Sequence, residues 1–429
     1  MCVSNDKKIN EPPSTKNVIM IKCDRQGWMM AIVYVNIVLY ALCYQLQRPI
    51  EPFLVDRFAT KEGVEEGDVL LSYGRLQSFF SMLQAFGSPV VGVLLDRIGA
   101  KNCFVFVFLS SACSYFLLAN ANSITGLYLS KIPSIFQAAF LVAQALIATN
   151  LSDGNASSSS RAAALGRLTT AYTIGASVGP ALGGMIGASG DYFFGAKLAA
   201  TGSLISAALA AFALPDLRTE NIRGDEKEPK TSSPIMVGWS IISRPTIWPL
   251  LLLKVTSSIS NSMLNTALPI FLKQRGFNES AMGWNMSASF VVVAITGAFV
   301  VKPLTKMLGP ARITWFCLVL KGFVAILLGL VSEKENVIFV AMCSISAACL
   351  SHLLATSLTT RTTGAVEYHE QGTLLGIEHS LFSGARIFGP GIGMKLMSFG
   401  GFFGVAITCC SIDVALGITA RLFRSKKVD

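Results

Sequence analysis

The chain has 429 residues, of which 52% are hydrophobic and 14% charged, with a formal net charge of +10. A soluble domain carries about a quarter charged residues, so this composition excludes an ordinary water-soluble protein and implies an integral membrane one. The basic excess does not point to nucleic acid, because the lysines and arginines sit in short segments between apolar runs, where such residues orient membrane helices.

Residues 1–27 are polar and basic, with Lys7, Lys8, Lys16, Lys22 and Arg25. No short apolar region ending in a small-residue cleavage site accompanies them, so no cleaved leader is expected. A membrane span needs about 20 apolar residues. Twelve stretches qualify, near 28–50, 68–95, 102–120, 124–149, 163–187, 192–214, 246–272, 281–301, 312–331, 336–357, 373–397 and 401–420; they are called spans one to twelve. The polar interval 216–245 divides six spans from six. The expected organisation is a tail (1–27), a first six-helix half (28–215), a linker (216–245), a second half (246–420) and a second tail (421–429). The fold class is therefore all-α, with two six-helix bundles in the membrane.

Lysine and arginine crowd one side of this arrangement, in both tails, the linker and the loops at Arg97–Lys101 and Lys302–Arg312. The other side holds only Arg57, Lys61, Lys273, Arg275 and Lys334. This bias predicts that both termini are cytoplasmic, in the plasma membrane or an organelle membrane. The ten cysteines are scattered and form no CxxC pair, so they read as small packing residues rather than a disulfide framework or metal site. No P-loop, HExxH or nucleophile elbow appears, so neither an enzyme nor a resident cofactor or metal is expected.

Several polar groups interrupt the spans, where burial in lipid makes them functional candidates. Span one carries Asn36, Tyr40, Gln47 and Glu51 near one face. Span four carries Lys131, a proton-relay candidate or a lysine reaching for the interface. Span seven carries Lys254, Ser258, Asn261 and Asn265, whose steps of 4, 3 and 4 place them on one helical face. Span eleven carries His379, Ser383 and Arg386 on one stripe, with Glu378 to the side. The bland reading of Arg386 is a structural bridge to Glu378 or another acid. Proton coupling needs a group whose pKa shifts with exposure; Glu378, Glu51 and His379 are the candidates, in that order. A Lys254 that faced the solute would suit an anion or a neutral compound unless it is paired.

Two motifs and a repeat complete the reading. The loop after span two reads GVLLDRIGAK, with Gly92, Asp96, Arg97, Gly99 and Lys101. Span five contains Gly175, Gly179, Pro180, Gly183 and Gly184 in the pattern GxxxGPxxGG; glycines four apart let helices approach closely, and the proline bends the helix. Gly179-Pro180 recurs as Gly389-Pro390 in span eleven, an offset of 389 − 179 = 210 residues. Such internal repeats mark alternating-access carriers with a site between the halves.

The loop resembles the signature of the major facilitator superfamily, and the span-five pattern resembles that of its proton-antiporter branch, which includes tetracycline and multidrug exporters. "SRAAALGRLTTAYTIGASVGPALGG" and "GTLLGIEHS…RIFGPGIG" look like organic cation transporter-like members near the solute carrier 22 family. The resemblance implies the major facilitator fold, with spans one and seven lining a central cavity. It also implies that Asp96 and Arg97 latch the outward-open state, and that a small organic solute, such as a cation or drug-like compound, exchanges for protons. A monomer in the lipid bilayer suffices for such a carrier. The alternatives are an uncoupled facilitator, a proton symporter of a metabolite, and a non-transporting receptor or scaffold with the same fold.

Overall fold

A computed structural model describes residues 15–150, 158–214, 240–331, 337–366 and 371–425. Within these residues the chain is helical and no strand occurs. Helices satisfy every backbone group internally, which lipid requires. Eight stretches are long and apolar enough to cross a membrane by composition. Two of them, Glu279–Leu330 and Ser380–Arg421, each hold a pair of spans. Spans five and seven, helices Ser158–Ala188 and Trp248–Gln274, are diluted by glycine, serine and threonine but are of membrane length. Twelve spans result, as expected from sequence. Most of the linker 216–245, the N-terminal tail to residue 14 and residues 426–429 lie outside the described residues.

Three of the connections are glycine corners inside otherwise continuous helix. Gly99 turns span two into span three with φ +79° and ψ 163°. Gly309 does the same between spans eight and nine with φ +75° and ψ 154°, and 309 − 99 = 210 is the sequence repeat again. Gly401, with φ +59°, closes the corner between spans eleven and twelve. Side chains are disfavoured at such positive φ values. The alternation of spans puts residues 15 and 425 at one end of the bundle, called here the terminal end; the opposite end is the distal end.

Two spans differ from the uninterrupted helices expected. Span one, expected over 28–50, begins earlier, at Thr15, and its helix stops at Leu46. A turn over 47–50 follows, and a second helix, Glu51–Lys61, continues it. Pro49 and Pro52 explain the break, since neither has a backbone N–H to donate. Span four, expected over 124–149, is helix Ile124–Lys131, a 3-10 turn Ile132–Phe136 around Pro133, and helix Ala139–Asn150. Four carbonyls at this break are taken by side chains. Ser114, Ser110, Gln84 and Tyr40 donate to the carbonyls of Ser130, Pro133, Ser134 and Gln137 at 2.7, 2.6, 2.6 and 3.0 Å. Gly87 of span two makes room, because a Cβ there would lie 1.6 Å from the Ile135 carbonyl oxygen. Irregular backbone at membrane depth is tolerated only when satisfied in this way.

The halves meet chiefly through spans five with eight and two with eleven. A Cβ on Gly184 would lie 2.9 Å from Gly283 Cα, and one on Gly74 would lie 2.6 Å from Met394 Cγ. Further distally, Lys273 pairs with Asp56 at 2.5 Å, and the Tyr192 hydroxyl donates to Glu279 at 2.5 Å. The halves are thus pinned together toward the distal end.

Candidate functional site

The two broken helices border one polar pocket inside the first half. It has a volume of about 40 Å³ and is lined by Gln47, Arg48, Glu51, Gln77 and Lys131 among others. Glu51 starts the second helix of span one; Lys131 ends the first helix of span four. They pair at 2.7 Å, Gln77 donates to the other Glu51 oxygen at 2.8 Å, and Lys131 lies over the Phe80 ring at 5.3 Å. Gln47 is buried, and neither of its polar side-chain atoms has a partner. Asn36 is fully buried, also without a partner. The Tyr40 hydroxyl is used by the break in span four.

A larger cavity, about 250 Å³, lies where span one of the first half faces spans seven, eight and ten of the second. Gln45, Arg48, Asn265, Asn285, Ser344 and Ser351 supply its polar lining, and leucine, methionine, phenylalanine, alanine and valine the rest. Arg48 is the one charged residue of this lining and also borders the first pocket. Of the polar stripe on span seven, Asn265 reaches this cavity. Lys254, Ser258 and Asn261 do not; they line a separate pocket of about 80 Å³ inside the second half, with Lys321 and Phe382.

Lys254 is 3% exposed and binds Glu378, also 3% exposed, at 2.5 Å. It further donates to Thr359 at 2.9 Å and lies 5.3 Å from the Phe382 ring centre. One Glu378 oxygen has no hydrogen-bond partner. A second ion pair is buried nearby. Lys321 of span nine and Asp413 of span twelve are 3.2 Å apart and both 0% exposed, and Ser260 donates to the same Asp413 oxygen. Stripping water from such pairs is expensive, and removing one partner is more so. Arg386 pairs with neither acid. It is exposed and has no ion-pair partner among the described residues. The side chains of His379 and Asp96 lie outside the described residues.

The span-five glycines divide by what they touch. Cβ atoms on Gly175, Gly179 and Gly183 would strike span one, the last at 2.0 Å from the Leu46 carbonyl oxygen. A Cβ on Gly184 would strike span eight of the other half, 2.3 Å from the Glu279 carbonyl oxygen. Pro180 shares this contact, and the neighbouring Ala181 N–H donates to Ser287 of span eight at 2.9 Å. In the loop after span two, Gly92 and Lys101 are partly buried and Arg97 is exposed; neither Arg97 nor Lys101 forms an ion pair with a described residue. Sequence reasoning missed Arg48, which precedes Pro49 near the end of span one. It also missed Lys321, a lone lysine in an apolar run whose partner Asp413 is equally isolated in span twelve. That matched isolation was the available signal.

A Major Facilitator Superfamily profile matches residues 33–390 and 250–428. The human protein "Solute carrier family 67 member A1" is 26% identical over 385 residues, covering 87% of each chain. "Tetracycline resistance protein, class D" of Salmonella ordonez is 26% identical over 295 residues, covering 68% of this chain and 70% of its own. Among solved structures, the human organic anion transporter MFSD10 (TETRAN) superposes with a TM-score of 0.63 at 19% identity, covering 92% of this chain and 99% of the other. With the paired halves, the glycine corners and a profile spanning most of the sequence, the chain belongs to the Major Facilitator Superfamily, a multi-pass membrane transporter of small solutes.

Proposed function

We propose that the protein carries a small organic solute by exposing its central cavity to one side of the membrane and then the other, and that it exchanges the solute for protons. The Lys254–Glu378 pair carries the coupling part of this reading. It is a buried lysine–carboxyl pair within the spans, with one carboxyl oxygen unpartnered and a small polar pocket beside it. A carboxylate that binds a proton releases its lysine, so opening this pocket to one side converts proton occupancy into a change of contacts between spans seven and eleven. Glu51 with Lys131 offers the same chemistry in the first half. The span-five glycine pattern, which resembles that of the proton-antiporter branch, favours exchange. The lysine and arginine bias supports a cytoplasmic terminal end, and on that reading the distal contacts close the outer side. In that state the latch of Asp96 and Arg97 is released, in keeping with an Arg97 that forms no ion pair among the described residues. A second reading, uncoupled facilitation, is favoured by the lysine that already neutralises each of Glu51, Glu378 and Asp413.

The test is reconstitution into acid-inside liposomes containing a pH-sensitive dye, with pooled organic cations, anions and neutral metabolites added outside. Solute entry should alkalinise the lumen with the wild type and fail to do so with Glu378→Gln, while Asp96→Asn should slow turnover without loss of membrane insertion. Solute entry without proton movement identifies a facilitator, and entry with acidification identifies a symporter. No entry from any pool leaves a receptor or scaffold.

A further inference from the structure

We propose that Gln45 sets the specificity of the central cavity: its Oε1 accepts a hydrogen bond from the solute, so the cavity selects an uncharged compound bearing an N–H or O–H group. The inference deepens the carrier reading and rests on it only for the claim that the bound compound is carried. Gln45 lies in the last turn of the first helix of span one, Thr15–Leu46, and lines the cavity between the halves. It is 2% exposed, and its Oε1 has no hydrogen-bond partner among the described residues. Span five fixes its place. A Cβ on Gly179 would lie 2.8 Å from Gln45 Cβ, so the bare glycine is what lets the base of this side chain sit where it does. A buried acceptor left without a donor is destabilising. Water admitted to the cavity supplies the donor only until a solute displaces it, and a solute that cannot replace the bond loses affinity.

The serines on the same lining repeat the demand. A hydroxyl has one proton to give. Ser289 gives its proton to the Asn285 carbonyl at 2.9 Å, and Ser351 to Asn261 Oδ1 at 2.8 Å. Ser344 gives its to the Ala341 carbonyl and Asn285 Oδ1, at 2.8 and 3.0 Å. With their protons spent inside the protein, these three offer a solute lone pairs. The donors on the lining are Arg48, which only donates, and the side-chain amides of Asn265 and Asn285, the latter with its oxygen already engaged by Ser344. A carboxylate brings acceptors alone and leaves Gln45 Oε1 and the serine oxygens facing more acceptors. An ammonium meets Arg48, with no acid on the described lining to receive it. An amide or an alcohol answers both sides, giving its N–H or O–H to Gln45 and its oxygen to Arg48 or Asn285. The apolar wall of Leu264, Leu268, Phe290 and Val293 suits an aromatic or aliphatic body attached to that group.

The experiment uses the full-length purified protein and two matched pairs of compounds: phenylacetamide with N,N-dimethylphenylacetamide, and phenethyl alcohol with its methyl ether. The second member of each pair lacks the N–H or O–H but keeps the oxygen. Phenylacetate and benzyltrimethylammonium serve as the anion and the cation. Binding is read by titration calorimetry in detergent, and transport by radiolabelled uptake into proteoliposomes. The donor-bearing member of each pair should bind the wild type at least about tenfold more tightly than its methylated partner and than either ion, because a site built to bond a donor rejects the analogue lacking it. Gln45→Leu should lower that ratio to near unity, a change that a merely structural role for Gln45 does not produce. Gln45→Glu, which keeps an acceptor in the same place, should preserve the ratio and also admit benzyltrimethylammonium; it carries the test with the wild type if Gln45→Leu does not fold. A wild-type ratio near unity, a ratio unchanged in Gln45→Leu, a ratio lost in Gln45→Glu, tighter binding of phenylacetate, or no binding by either donor-bearing compound overturns the proposal. Donor-bearing compounds that bind but are never taken up leave the site standing and defeat the carrier reading. Uptake indifferent to the donor defeats the site and leaves the carrier.

Discussion

In the first half Gly175, Gly179 and Gly183 seat span five on span one; in the second, Gly389 and Gly393 seat span eleven on span seven. The corners at Gly99 and Gly309 have nearly the same backbone angles. The charges follow no such repeat. The first half has Glu51–Lys131, partly exposed at 14% and 17% and beside a pocket that opens on Arg48. The second half has Lys254–Glu378 at 3% and Lys321–Asp413 at 0%. Position 96 carries the acid of the loop motif, whereas position 306, its equivalent at the 210-residue offset, is a lysine. The duplicated part is the part that must move as two equal bodies, for which close helix approach is the requirement. The chemistry is free to diverge, because solute and proton need each be handled once.

The sharpest way to break this comparison is at the two ion pairs of the second half. If Lys321–Asp413 is structural and Lys254–Glu378 is functional, they respond differently to removal. Asp413→Leu alone leaves a lysine charge buried without a partner and should cost ~3–5 kcal/mol of stability. The double variant Lys321→Met with Asp413→Leu should recover most of it and keep transport. Glu378→Gln should retain a folded protein that binds solute but no longer moves protons with it. Thermal unfolding in detergent and the liposome assay read the two effects separately. A double variant that is stable but inactive would place Lys321 and Asp413 in the mechanism and erase the contrast between the pairs.

A smaller effect separates the two kinds of glycine contact. Gly183→Ala crowds the Leu46 carbonyl within one half, an overpacking defect of about 1–3 kcal/mol that persists in every state of the cycle. Gly184→Ala crowds span eight of the other half, a contact that alternating access should break when the distal end opens. It should leave the stability of each half nearly unchanged and raise hydrogen exchange in 279–287. Equal destabilisation by the two variants would show that spans five and eight stay in contact throughout.

The expected frame and the observed one agree because both rest on composition. Twenty apolar residues can do little in lipid but form a helix, and the positions of glycine corners are visible as loops. The expected site fared differently. Pro49 and Pro133 are local signals, but whether a proline bends a span or breaks it depends on distant donors. Ser110, Ser114, Gln84 and Tyr40 come from three other spans, and no periodicity in span four announces them. The stripe Lys254, Ser258, Asn261 and Asn265 lies on one face as expected. A helix face of that length spans two different pockets, and only the three-dimensional packing tells which residue opens on which. In sequence Lys254 either faces the solute or is paired; in the structure it binds Glu378 at 2.5 Å and does not line the central cavity.

The least costly change probes the closure itself. Asp56 and Lys273 meet across the halves at the distal end, 50% and 25% exposed, with Lys273 over the Phe53 ring at 5.2 Å. An ion pair so open to water contributes roughly 0.2–1 kcal/mol, too little to hold a fold and enough to bias two states that differ by a few kcal/mol. Asp56→Asn should therefore unfold at nearly the wild-type temperature. It should lengthen the mean distance between spin labels placed at 60 and 276, and added salt should lengthen it in the wild type by screening the same pair. The Lys131–Glu51 pair offers the internal control, because both its partners lie in the first half. Weakening it leaves the distance between labels unchanged if the halves move as rigid bodies, and alters it if the first half deforms as the carrier opens.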